Sequence, residues 1–117
     1  MKRGEVYWAN LSPRSGSEQA GRRPVIILSH DAFNQTPTWR SIIVIPLSTS
    51  TTQARRSPTV VAVKAGIAGL PDDCSALCHQ ITTIDRAKLT DKIGELPLDI
   101  LGQVEQALLA AVGVGSR

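Results

Sequence analysis

Several polar clusters in this chain carry groups that bind anions or move protons, and each stands beside or within an apolar run. Ser17-Glu18-Gln19 precede Arg22-Arg23-Pro24, which open onto Val25–Ser29. Ser48-Thr49-Ser50 follow Ser41–Leu47, and His79-Gln80 fall inside Ser75–Ile84. Guanidinium groups, hydroxyls, a carboxylate, amides and an imidazole are the parts needed to hold a phosphodiester and transfer a proton. The planar fork of arginine suits bidentate contact with phosphate. Its permanent charge makes it a charge stabiliser and a poor proton carrier. Glu18 and His79 are the residues able to act as acid or base, and imidazole does so naturally at neutral pH. Arg55, Arg56 and Lys64 add cations that position a polyanion without specifying its sequence.

The elements that must carry these groups follow from the hydrophobic pattern. Gly4–Leu11 alternates apolar and polar and reads as a strand. Pro24–Ser29, with Pro24 as first residue, and Ser41–Leu47 are continuous apolar runs enriched in β-branched residues, hence buried strands. Asp31 caps a short helical turn through Phe33. Thr59–Lys64, Ser75–Ile84 and Lys92–Leu96 are expected as the fourth, fifth and sixth strands, with a turn at Asp85–Leu89. On the fifth strand, His79 would share a face with Leu77 and Ile81. Leu101, Val104, Leu108 and Val112 recur at helical spacing, so Leu98–Val112 reads as an amphipathic helix that Gly113 ends. The expected fold is α+β: a small, strongly curved antiparallel sheet or barrel with the helix packed on it, forming one domain over 1–117.

Composition narrows the classes further. At 117 residues, with 42% apolar and 20% charged side chains, the chain can bury a core without metal or disulfide support. No apolar run approaches membrane-spanning length and no secretory leader is visible, so a cytoplasmic location and no membrane partner are expected. Cys74 and Cys78, if extended, stand roughly 13 Å apart and read as reduced thiols. Residues 1–58 carry eight basic groups against three acidic, a balance of +5, while residues 59–117 stand at −2. That asymmetry favours a polyanion held by the N-terminal half. Phe33 and Trp39 are candidates for stacking on bases, whereas Tyr7 and Trp8 suit a core or an interface between copies.

The blocks "KRGEVYWANL", "GSEQAGRRPVIIL", "IIVIPLSTS" and "CHQITTIDRAKLTDKIGEL", in this order over nearly the whole chain, resemble the MazF/PemK/Kid family of toxin ribonucleases. The resemblance implies a compact antiparallel barrel with a terminal helix, forming a homodimer. It implies cofactor-free and metal-independent cleavage of single-stranded RNA, and neutralisation by a cognate antitoxin whose acidic, partly disordered segment covers the basic face. Arg23 matches the family's catalytic arginine. Its threonine position falls on Ser48, with Thr49 next, and either hydroxyl can fill the role. His79 stands where relatives carry Asp or Glu, and could serve catalysis, RNA contact or structure. Glu18 matches the loop before the arginine, as orienter or base. Gln19, Ser17, Arg22 and Gln80 are expected to contact RNA.

Two other readings use the same residues. A non-enzymatic toxin on the same barrel, binding a protein such as a topoisomerase, would lack the Glu-Gln-x-Gly-x-Arg-Pro block and depend on an aromatic C-terminus. Here the block is present and the chain ends Gly115-Ser116-Arg117. A catalytically decayed RNA-binding module would keep the basic face and lose turnover, a reading motivated by Ser48 and His79.

Overall fold

The computed structural model describes residues 1–12, 16, 20–49 and 57–115. Among these described residues seven strands form one antiparallel sheet: β1 (Glu5–Asn10), β2 (Arg22–Ile27), β3 (Ser41–Ser48), β4 (Val60–Val63), β5 (Cys74–Leu77), β6 (Thr82–Asp85) and β7 (Leu89–Glu95). The short α1 (Asp31–Asn34) joins β2 to β3, and α2 (Leu98–Ala111) closes the chain. The path runs β4-β5-β3-β2-β1-β7, with β6 also on β3. Its ends do not pair with each other, so the curved sheet stays open rather than closing into a barrel.

Burial on both faces explains the continuous apolar runs. Ile26, Ile45 and Leu47 turn to the face covered by α2, where Leu101, Val104 and Ala107 meet them. Val25, Ile27, Ile42 and Val44 fill a second cluster on the other face with Ala9, Leu11 and Ile84. Gly113, at φ +76°, turns the chain after α2, and Val114 N–H then reaches the Leu109 carbonyl at 2.9 Å.

Several boundaries differ from the sequence reading, each for a local reason. β2 begins at Arg22, so both arginines belong to the strand, and Pro24 is its third residue opposite Trp8. The last strand begins earlier, at Leu89, because the turn before it is only the 3₁₀ segment Arg86–Lys88. α1 is capped by His30, whose Nδ1 accepts from Ala32 N–H at 2.9 Å. Asp31 instead accepts from Arg3 N–H at 2.6 Å and from Asn34 Nδ2.

The largest difference falls in Ser75–Ile84, expected as one strand. Ser75 and Ala76 pair with Ser48 and Leu47, and the same ladder continued would set His79 opposite Val44. Thr82 stands there instead, three residues later. The three extra residues are the 3₁₀ turn Cys78–Gln80, which loops out between β5 and β6 along one edge of β3. His79 therefore does not share a strand face with Leu77 and Ile81; it is exposed on the turn.

Candidate functional site

β2 and β5 both run antiparallel to β3 from its two edges, so both begin where β3 ends. β1 arrives at the same place, with Trp8 opposite Pro24 and Asn10 opposite Arg22. Side by side at this rim lie the start of β2, the end of β3, the end of β1 and the loop leading into β5. They enclose a cleft of about 150 Å³. Leu47, Leu70 and Cys74 form its buried floor, and Arg22, Arg23, Thr49 and Asp72 supply its polar groups.

Within it the two arginines are held differently. The Arg22 guanidinium lies 4.4 Å from the centre of the Trp8 ring and reaches Asp91 at 3.3 Å. Both members of that ion pair are exposed, which leaves Arg22 available to an incoming anion. Arg23 is half-buried, and its Nε donates to the Ala20 carbonyl at 3.1 Å. Among the described residues only its Nε is engaged, which leaves the two terminal nitrogens of the fork for a phosphate.

Of the two hydroxyls at the end of β3, Thr49 is exposed and lines the cleft, whereas Ser48 is buried, 4% exposed. The Cys74 thiol on the floor is pushed up by burial and by the charges of Asp72 and Asp73, so it rests as a neutral thiol rather than a nucleophile. Cys74 and Cys78 are both free and buried, as the sequence suggested.

The structure brings together Arg22, Arg23 and Thr49; Ser48, buried next to Thr49 in the chain, is not among the residues that line the cleft. It does not bring His79 to this cleft. His79 follows the far end of β5, on the order of 10–15 Å of chain from Cys74. There its Nδ1 meets Thr59 Oγ1 at 3.1 Å, and Gln80 is half-buried beside it. Phe33 and Trp39 stack on each other, 4.7 Å between ring centres, before β3 begins and thus at the opposite end of that strand from the cleft. Ser17, Glu18, Gln19, Arg55 and Arg56 lie outside the described residues. Sequence reasoning missed Trp8 and Asp72 as cleft residues. The first is legible only once the β1–β2 register is known, and the second only once β5 is seen to start beside the end of β3.

The class this defines is a small α+β domain with an arginine-bearing cleft at one end of an open antiparallel sheet. Residues 2–112 match the family model described as the PemK-like, MazF-like toxin of type II toxin-antitoxin systems, and the chain belongs to that family. It is 40% identical over 109 residues to endoribonuclease EndoA of Bacillus subtilis, covering 92% of this chain and 90% of that one. MazF from Deinococcus radiodurans superposes with a TM-score of 0.79 at 27% identity, covering 97% of each chain. A mycobacterial endoribonuclease in complex with its cognate antitoxin superposes with a TM-score of 0.79 at 25% identity, covering 100% of this chain and 99% of that one. No helix among the described residues is long and apolar enough to cross a membrane.

Proposed function

We propose that this chain is a sequence-specific endoribonuclease that cuts single-stranded RNA, acting as a growth-inhibiting toxin in the cytoplasm until a cognate antitoxin neutralises it. The observation that carries the reading is the meeting of Arg23 and Thr49 in one cleft of a chain belonging to the PemK-like, MazF-like toxin family.

RNA supplies its own nucleophile. The 2′-oxygen attacks the adjacent phosphorus, the bond to the 5′-oxygen breaks, and the products are a 2′,3′-cyclic phosphate and a 5′-hydroxyl. A base takes the 2′-OH proton and an acid returns one to the leaving 5′-oxygen. Arg23 stabilises the charge that gathers on the phosphorane oxygens. The Thr49 hydroxyl donates to a phosphate oxygen, in preference to Ser48, which is buried. We assign the base to Glu18, five residues before Arg23, ahead of His79, because His79 follows the opposite end of β5. Arg22 contacts backbone phosphate; Ser17, Gln19, Arg55, Arg56 and Gln80 are assigned to RNA contact on the strength of the sequence alone. The nucleophile belongs to the substrate, so this scheme uses no metal or cofactor. A homodimeric, single-domain toxin, and an acidic antitoxin segment laid over the basic cleft, complete the reading.

The test is incubation of the purified protein with a long single-stranded RNA in EDTA, beside Arg23→Ala, with mapping of the new ends. Discrete cuts with 5′-hydroxyl ends that vanish in the variant are expected. RNA bound but left intact would favour the decayed binding module. Neither binding nor cutting would overturn the ribonuclease reading in favour of a protein target.

A further inference from the structure

Among the described residues that line the Arg23–Thr49 cleft, Asp72 is the single acid. We propose that it is a specificity-determining residue that accepts the Watson–Crick-edge N–H groups of a guanine beside the scissile phosphate. The proposal rests on the RNA-cleaving reading above and deepens it.

A carboxylate in a cleft built for a polyanion repels phosphate oxygens, so it fits a place where the substrate presents donors. In single-stranded RNA those donors are on the splayed base edges. Guanine offers N1–H and N2–H₂ side by side, matching the two oxygens of one carboxylate. Cytosine and adenine offer one amino group each beside a repelling ring-nitrogen acceptor. Uracil offers a single N–H between two carbonyls. The carboxylate therefore ranks guanine first.

The loop holds this group in place rather than leaving it on a floppy tether. Leu70, two residues before, is 2% exposed, and its carbonyl accepts from Gly66 N–H at 2.8 Å. The carbonyl of Asp72 itself accepts from the Cys74 thiol at 3.4 Å. The loop also rests on β7, so closely that a Cβ on Gly94 would stand 2.2 Å from the Ala68 carbonyl oxygen. The neighbouring acid has a different task. Asp73 accepts from Ala65 N–H at 2.8 Å and so belts the loop, while no ion pair among the described residues engages the carboxylate of Asp72. A carboxylate carried on a backbone held this way discriminates more sharply than one on a mobile loop.

The experiment sequences cleavage ends from an RNA with a randomised window, for the wild type, Asp72→Asn and Asp72→Ala. In parallel it sequences the molecules that each protein retains from a randomised oligonucleotide made uncleavable by 2′-deoxy sugars. Guanine is expected at one fixed position beside the cut in the wild type. Its preference over the other bases should fall on the order of 10- to 100-fold in both variants. Asp72→Asn should turn partly toward adenine, the base an amide pairs with best. An unchanged sequence profile in the variants, or a wild type without guanine enrichment, overturns the proposal. So does an equal loss across all sequences in a variant with the wild-type melting temperature, since that assigns Asp72 to the chemistry. If the wild type cuts nothing, the ribonuclease reading fails by itself, and the retained oligonucleotides still decide the role of Asp72.

Discussion

Arg22 sits over the ring of Trp8 at 4.4 Å, one strand across, while the adjacent Arg23 turns to the Ala20 carbonyl. Successive residues of a strand point to opposite faces, so two arginines in a row cannot do the same thing. Arg22 is anchored by an aromatic face and an exposed carboxylate and presents its charge at the mouth of the cleft. Arg23 leaves β2 on the other face, is half-buried, and still lines the cleft.

The two arginines should therefore separate kinetically. Arg22→Ala is expected to weaken RNA binding about tenfold and to lower the slope of log affinity against log salt by about 0.7, the value for one phosphate contact on a single strand. Arg23→Ala is expected to lower kcat by roughly 10²-fold or more. Steady-state kinetics at several salt concentrations check both. A loss of kcat in Arg22→Ala as large as in Arg23→Ala would contradict the division.

Much of this arrangement is legible in the residues, for identifiable reasons. Val25–Ile27 and Ile42–Leu47 betray their strands because two apolar clusters bury both faces of β2 and β3. The helix shows in the spacing of Leu101, Val104 and Leu108. The break at Cys78–Gln80 does not show, because Leu77, Cys78 and Ile81 continue an apolar pattern through it. That break exists to reset the ladder by three residues along β3, a requirement of the pairing rather than of local sequence. Arg23 is legible from its block and its place before Pro24. Asp72 is not, since a polar loop of Gly, Pro and Asp looks the same whether it faces solvent or a cleft.

Glu5 is 5% exposed, pairs with the Lys92 ammonium at 2.6 Å and accepts from Lys2 N–H at 2.7 Å. Burial pushes its carboxyl up, but these partners outweigh burial and hold it below the ordinary value of 4.5. A folded-state value below the unfolded one stabilises the protein above about pH 4.5 and is lost as pH falls through the folded value. Urea unfolding of Glu5→Gln should show a loss of roughly 1–3 kcal/mol at pH 7 that shrinks below pH 4. A penalty independent of pH would count against the ion pair as its source.

Cys78 gives the opposite end of the pH scale. Burial without any partner charge pushes its thiol from 9.0 up to about 11. A raised value means that the folded state keeps its proton longer. The resulting stability is complete below pH 9 and disappears as pH rises from 9 to about 11. Between pH 8 and pH 10.5 the wild type should lose about 2 kcal/mol that Cys78→Ala does not lose, which unfolding curves at the two pH values would compare. Parallel alkaline losses in the two proteins would place the effect elsewhere.

Gly94 tests how the cleft wall is held. Its Cα packs against the loop that carries Leu70, Pro71 and Asp72, and an added Cβ would overlap the Ala68 carbonyl oxygen. Ala68 already adopts φ +55°, a left-handed conformation that costs a non-glycine residue about 1 kcal/mol, so the loop has little freedom to step aside within its present path. Gly94→Ala should therefore destabilise the fold by about 1–3 kcal/mol. That corresponds to a fall in Tm of roughly 4–8 °C per kcal/mol for a domain near this size. Displacing the loop also moves Asp72 away from Arg23 and Thr49, so KM should rise more than kcat falls, while Ala substitution at Gly102, where a Cβ meets nothing within 4 Å, should leave both near wild type. Thermal melts and cleavage kinetics on the two variants give the comparison. A Gly94→Ala protein that melts and cuts like the wild type would show that the packing of this loop on β7 does not set the cleft.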